Sequence, residues 1–345
     1  MLHDVRVLTG EEIDKLLFGR EPELIECVQS AYALLAEGQA VAPHSMFLRF
    51  EGDSPDRIIA LPGYLRGSFE TAGIKWISSI PSNHERGIDR ASAMIALNDR
   101  QTGRVTALLE GSGVSAIRTA AGAALGARYL CRDRRIREVS LVGLGLINFQ
   151  ILRFLLSVFP SLERVHAFDR DARRAFAFER KCAELGRPLR VDRCASVSAA
   201  LGNAMLVSFA TTALTPHVSE LPFDKATPPV VLHVSLRDLT PEVILAANNV
   251  VDDVEHACRA NTSVHLAAER VGHREFMVPL VQAIREPNGA WFVPERATIL
   301  SPFGLGILDL AVAHFALSLA SDAKVGTVIP RFHPPYWTER TAQPT

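Results

Sequence analysis

Cysteine is scarce in this 345-residue chain and never clustered. The five thiols, Cys27, Cys131, Cys182, Cys194 and Cys258, are odd in number, widely spaced and form no CxxC. A disulfide framework and cysteine-based metal sites are thereby excluded, and reduced thiols in a cytoplasmic protein are expected. A surplus of charge is also lacking. Lys plus Arg total 37 against 38 Asp plus Glu, a formal net charge of −1, so there is no basic footprint for nucleic acid or an anionic membrane surface. Gly 22 and Pro 20 are ordinary shares, which excludes collagen-like repeats and low-complexity disorder. The eleven histidines form no HExxH or other close pair. No metal is expected, and His44, His84 and His233 read as ordinary polar residues. No Gly-x-Ser-x-Gly elbow offers acyl chemistry. The opening residues carry Asp4, Arg6, Glu11, Glu12 and Asp14, so they hold no apolar signal core.

What is present is a globular composition, 48% hydrophobic and 22% charged, long enough for about two domains at roughly 150 residues each. One run imitates a membrane span. Residues 139–159 are 21 in number with Arg153 as the single charge, enough to cross a bilayer. Yet the run holds Gly143, Gly145, Asn148 and Gln150, and its first third reads as a short buried strand. It is better read as strand, glycine turn and helix.

Along the chain, residues 11–37 predict a helical stretch closed by Gly38. Strands follow at 45–50, 57–61, 72–78 and 91–98, separated by Gly, Pro, Asp and Asn signals, an antiparallel α+β pattern. Residues 111–132 are rich in Ala and Gly, with Val114, Ile117, Ala121 and Leu125 on a helical period. A βαβ rhythm begins near 130: strands at 139–142, 165–168, 205–209, 230–235 and 250–251, helices from the glycine turn to about 158 and over 173–185. Residues 306–320 read as an amphipathic helix and 330–345 as an irregular tail.

Four constellations could carry chemistry. In Val139-Ser-Leu-Val-Gly143-Leu-Gly145-Leu-Ile-Asn148, a strand enters a Gly-x-Gly turn and a helix leaves it. Gly143 allows the turn, and Gly145 lets a pyrophosphate approach the helix N-terminus. Leu146 and Ile147 open the helix. Asn148 stands at the third glycine position and implies looser helix–strand packing. Asp169, 26 positions after Gly143, ends the next strand, where an acid accepts the ribose hydroxyls of NAD and repels a 2′-phosphate; Arg170 beside it leaves NADP open. A methyltransferase also ends its second strand with an acid, so that reading stays open. Lys75, in Gly73-Ile-Lys75-Trp-Ile-Ser-Ser, is either an outward-facing strand lysine or a buried one suited to proton transfer or carboxylate binding. Arg118, among small residues, is a helix-surface arginine or a bidentate carboxylate ligand; Arg57 and Arg49 are weaker candidates. Asp238, just past the strand at 230–235, belongs to a polar loop or acts on a proton or water beside a nicotinamide. Thr240 and Pro241 read as N-cap and first residue of the next helix.

These pieces, in this order, resemble the ornithine cyclodeaminase/μ-crystallin family. The matching segments are "GIKWISS", "AIRTAAGAALGARYL", "LVGLGLI", "RVHAFD", "HVSLRDLTPEV" and "SPFGLGILDLAVAHFA", spanning about 45–320. "DRIIALPGYL", "ERGIDRASAMIALND" and "ILSPFGLGILDL" are similar to the branch that oxidises N-(1-amino-1-carboxy-2-ethyl)-glutamate with NAD. That branch releases 2-oxoglutarate and L-2,3-diaminopropionate for siderophores and peptide antibiotics. The resemblance implies an α/β fold, a Rossmann-type doubly wound parallel sheet (131–309) plus an N-terminal α+β substrate and dimerisation domain (1–130 with 310–345). It implies a homodimer that binds a small amino-acid substrate. It puts the catalytic lysine on Lys75, the catalytic aspartate on Asp238 and the carboxylate-binding arginine on Arg118, with Ser92 also on the substrate side. Cofactor contacts fall on Gly143, Gly145, Leu146, Ile147, Asp169, Arg170, Thr211, Thr212, Ser235 and Gly304. The family's early arginine after a proline is absent, since His44 and Ser45 follow Pro43; Arg49 and Arg57 are the candidate substitutes. The implied chemistry is hydride loss from a carbon bearing a secondary amine, then attack on the imine by water that Asp238 orients. The family also contains ammonia-releasing cyclisation, ketimine reduction, amino-acid dehydrogenation and μ-crystallin-like binding without turnover.

Overall fold

A computed structural model of the chain describes residues 3–50, 55–202, 204–224 and 226–339, and only the backbone of His84. The chain divides into two compact units. One comprises Met1–Arg20, Ser30–Ser115 and Gly306–Thr345, the other Glu21–Gln29 and Ala116–Leu305.

The expected long N-terminal helix is two helices, Gly10–Leu17 in the first unit and Glu21–Ala36, whose first nine residues count with the second. Gly19 takes φ +75° between them, and Pro22, without an N–H, sits in the first turn of the second, so the helical ladder cannot run through. Thr9 and Glu12 close the first helix in a capping box. The sheet runs in the order Thr327–Ile329, Val5–Leu8, Val105–Glu110, Ala91–Asp99, Thr71–Ser79, Arg57–Leu65, Ala40–Val41, with Met46–Arg49 also paired to Arg57–Leu65. Pairing is antiparallel except between Val5–Leu8 and Val105–Glu110. The expected strands are all present. The edge strand Thr327–Ile329 pairs with Val5–Leu8, more than three hundred positions away in the chain, which no local pattern shows.

The Gly306–Ala323 helix packs on the strands Arg57–Leu65, Thr71–Ser79 and Ala91–Asp99 of this sheet. A side chain at Gly73 would collide with the carbonyl of Ala96 at 2.2 Å and one at Gly306 with that of Leu61 at 2.8 Å. The helix is buried through Gly306–Ala313, so it is not the amphipathic element its sequence suggested. The sheet and the Gly10–Leu17 helix occupy its surroundings, leaving no continuous polar face. Among the described residues it is the one helix long and apolar enough to cross a membrane by length and composition. The expected irregular tail contains a short 3-10 turn at Trp337–Glu339; residues 340–345 lie outside the described residues.

The second unit holds an eight-stranded, fully parallel sheet. Its order is Arg190–Arg193, Arg164–Phe168, Glu138–Val142, Leu206–Phe209, Val230–His233, Thr298–Ser301, Asn248–Val251, Met277–Pro279. The first five follow the Rossmann arrangement, whose order reverses between Glu138–Val142 and Leu206–Phe209, the place where such sheets take ligands. The 139–159 run is a buried strand followed by the Leu146–Val158 helix, whose Ile151, Leu152, Phe154 and Leu155 face inward. Its lone charge, Arg153, pairs with Glu21 at 2.5 Å.

Candidate functional site

The glycine turn stands at the order reversal. Gly143 has φ +86°, and a Cβ there would lie 2.5 Å from the Ala210 carbonyl oxygen, so only glycine fits. Gly145 is the N-cap of the 146–158 helix, which has no side-chain cap; nothing lies within 4 Å of a Cβ at that position. Uncapped N–H groups facing open space fit a pyrophosphate. Leu146 is exposed and Ile147 half-buried at this helix start.

Asp169 accepts from the Leu144 amide at 2.8 Å and the Asp171 amide at 2.9 Å. Its carboxylate is thereby tied to the glycine turn. Asp169, Arg170, Arg193 and Cys194 line an open pocket of about 480 Å³ beyond the strand ends, a place suited to the adenosine half of a dinucleotide.

Asn148 overturns the expectation of loose packing. It is fully buried, donates to the carbonyls of Val142 at 3.0 Å and Gly143 at 2.7 Å, and accepts from Ser208 Oγ at 2.7 Å. The amide clamps the helix to both strands at the order reversal, replacing the close approach a glycine would allow with hydrogen bonds.

Asp238 lies in the loop after Val230–His233 and is fully buried. Thr211 Oγ1 and Ser235 Oγ donate to its two carboxylate oxygens. His233 Nε2 is 3.3 Å from Oδ2 and His217 Nε2 3.9 Å from Oδ1. Burial raises the carboxyl pKa, but the hydrogen bonds around the group, those of the Ser235 and Thr211 hydroxyls among them, outweigh it and hold it below the ordinary value. Thr211 and Ser235 therefore meet Asp238, while Thr212 points to solvent. Thr240 and Pro241 start the next helix as expected.

Arg118 is half-buried on the Gly111–Leu130 helix. Its guanidinium lies against Gly304, where a Cβ would come within 2.8 Å of a terminal nitrogen. Gly304 takes φ +94°, and the buried Asp252 accepts its amide at 2.6 Å and that of Phe303 at 3.0 Å. Burial raises the Asp252 pKa despite these amides.

In the first unit, Lys75 is only 2% exposed, which settles its orientation. It donates to Asp309 Oδ2 at 2.7 Å and to Ser115 Oγ at 3.0 Å. Strand register puts Arg57 and Arg49 on the same sheet face as Lys75, at the far end of the strands. Arg49 is exposed over the Phe47 ring, 5.7 Å from its centroid. Ser92 pairs with Ser78 and so lies on the opposite face, exposed; the register separates it from Lys75.

Sequence reasoning missed Asp309 and His233. Asp309 had a signal: it is the sole acid in the first three turns of an otherwise apolar helix, and a charge there needs a partner. His233 ends a run of three apolar residues in a parallel strand, where a polar side chain is buried unless it points out of the sheet.

Residues 4–221 match the ornithine cyclodeaminase/mu-crystallin family. An N-((2S)-2-amino-2-carboxyethyl)-L-glutamate dehydrogenase of Staphylococcus aureus is 26% identical over 336 residues, covering 95% of this chain and 99% of that protein. An alanine dehydrogenase of Archaeoglobus fulgidus is 28% identical over 338 residues, covering 94% and 98%. The solved structure of an archaeal alanine dehydrogenase dimer with bound NAD has a TM-score of 0.80 at 25% identity, covering 94% of this chain and 99% of that one.

Proposed function

The chain belongs to the ornithine cyclodeaminase/mu-crystallin family, and we propose that it is an NAD-dependent oxidoreductase acting on the CH–NH bond of an N-substituted amino acid. The substrate is N-(1-amino-1-carboxy-2-ethyl)-glutamate. With NAD and water it yields 2-oxoglutarate, L-2,3-diaminopropionate, NADH and a proton, and the diamino acid would supply siderophore or peptide-antibiotic assembly. The observation that carries this choice is the likeness to the staphylococcal dehydrogenase, which runs over 95% of this chain and 99% of that protein.

Nicotinamide, when bound, supplies the hydride acceptor. The Gly143–Gly145 turn and the helix N-terminus would hold the pyrophosphate, and Asp169 the ribose hydroxyls, its negative charge opposing a 2′-phosphate. Arg118, seated on Gly304, presents its guanidinium to an α-carboxylate. Lys75, paired with Asp309, serves as a carboxylate-binding cation. Asp238, ionised among hydroxyl donors, accepts the proton of the water that adds to the substrate imine. The first unit is the substrate and dimerisation unit, the second the dinucleotide unit. A homodimer is supported by an open sheet face in the first unit: Met46, Ala60, Trp76 and Met94 lie in one cross-strand row, with Met46 73% and Trp76 42% exposed. The free cysteines are compatible with a cytoplasmic setting.

A second reading, an ammonia-releasing amino-acid dehydrogenase, is favoured by the 28% identity to alanine dehydrogenase. One assay separates them: NADH formation with N-(1-amino-1-carboxy-2-ethyl)-glutamate, L-alanine and L-ornithine in parallel, with products identified by mass. NADH together with 2-oxoglutarate and 2,3-diaminopropionate is expected. NADH and ammonia from L-alanine alone would establish the second reading, and NADH from none of the three would refute both.

A further inference from the structure

His233 is the last residue of a buried strand, and both of its ring nitrogens are engaged within the second unit. Nδ1 lies 3.2 Å from Ser301 Oγ, on the neighbouring strand Thr298–Ser301. Nε2 accepts from the backbone amide of Asp238 at 3.1 Å. A nitrogen that accepts an amide proton carries none of its own, so the proton sits on Nδ1 and is donated to Ser301. Oδ2 of Asp238 is also near Nε2, at 3.3 Å, but the amide is the hydrogen-bonded partner.

The loop needs such an anchor. Leu236 takes φ +69°, a conformation that disfavours a side-chain-bearing residue. Its carbonyl is held by the Ser263 amide at 2.7 Å, and the Asp238 carbonyl accepts from the amides of His217 and Val218, each at 2.8 Å. The Asp238 amide is the remaining backbone group of that residue, and His233 takes it.

We infer that His233 is a positioning residue for Asp238: as a neutral, Nδ1-protonated imidazole it fixes the Asp238 amide and thereby the aim of the carboxylate. The hydroxyls of Thr211 and Ser235 donate to the carboxylate itself. The chemical role of Asp238 is the one proposed above, whereas the tautomer of His233 does not depend on it.

Nitrogen NMR of the full chain with isotope-labelled histidine tests this directly, the His233 signal being assigned by its loss in His233→Gln. The expected result is a neutral ring with its proton on Nδ1. A proton on Nε2, or an imidazolium paired with the Asp238 carboxylate, overturns the inference. Hydrogen exchange at the Asp238 amide adds a second measurement. His233→Gln places an acceptor near the Nε2 position and keeps the amide protected, whereas His233→Asn reaches only the Nδ1 position and loses protection by about tenfold. Equal protection in the two variants also overturns it. In turnover assays, Asp238→Asn serves as control. An inactive Asp238→Asn beside a fully active His233→Asn refutes the positioning role alone, and an active Asp238→Asn refutes the function proposed for Asp238 while leaving the tautomer result standing.

Discussion

Lys75 Nζ lies 2.7 Å from Asp309 Oδ2, and the two side chains are 2% and 0% exposed. Two charges buried this deeply are tolerated because each is the other's counter-ion, with Ser115 taking a further hydrogen bond. Removing one partner deprives the other buried charge of this counter-ion. Lys75→Met and Asp309→Leu should each lose about 3–5 kcal/mol in urea unfolding, while the double variant should recover most of that loss. Additive losses in the double variant would show that the pair is not coupled.

Asp238→Asn keeps the size of the side chain and removes its capacity to take a proton. Turnover should fall at least about a hundredfold while the NAD dissociation constant moves less than about threefold. The pKa of the folded carboxyl is held below its ordinary 3.8, so the stabilisation is complete above that pH and is lost as pH falls through the lower folded value. The stability difference between the wild-type chain and Asp238→Asn should therefore be constant near neutrality and narrow only below pH 3.8, as followed by thermal unfolding across pH.

Gly304→Ala pushes a methyl group toward the Arg118 guanidinium, 2.8 Å from a terminal nitrogen, at a backbone angle that already disfavours alanine. Displacing the carboxylate ligand should raise the substrate KM about tenfold or more, a larger effect than on NAD affinity. Steady-state kinetics and calorimetric titration with NAD separate the two effects.

Asn148→Gly would restore the glycine pattern of the dinucleotide turn, yet it should weaken the protein. The Ser208 hydroxyl and the Val142 and Gly143 carbonyls lose their buried partner, about 1–3 kcal/mol, and glycine inside a helix adds about 1 kcal/mol. A lowered unfolding midpoint with weaker NAD binding is the expected outcome. An unchanged midpoint would mean that the clamp contributes nothing.

Trp76→Glu places a charge at the centre of the open face of the first unit's sheet. Light scattering should show the wild-type chain as a dimer and the variant as a monomer, because burying an unpaired carboxylate in an apolar contact is strongly unfavourable. A variant that remains dimeric would locate the interface elsewhere.

Much of the fold was legible in the residues because it is local. The strand and helix joined by Gly143 and Gly145, the Thr240–Pro241 helix start and the hairpin strands each follow from periodicity, turn chemistry and capping within a dozen positions. The same local signals identified Asp169 and Asp238 as acids at strand ends. Where a local expectation failed, a neighbour in space was responsible. Asn148 looked like a defect in a glycine motif until Ser208, 60 positions away, supplied its partner. The 306–320 segment looked amphipathic until the sheet and the Gly10–Leu17 helix packed against it.

The chemistry of individual side chains was decided by pairing across long stretches of chain. Alternation along the strand at 71–79 allows Lys75 to face either way; only its contact with Asp309, 234 positions on, makes it a buried cation. His233 is a polar residue by composition and a hydrogen-bond acceptor for Asp238 only because Ser301, 68 positions later, stands beside it. Backbone preference acts over a few residues and is written in their order. The charge state of a buried group depends on which partners replace its lost water, and those partners are chosen by the folded arrangement of the whole unit.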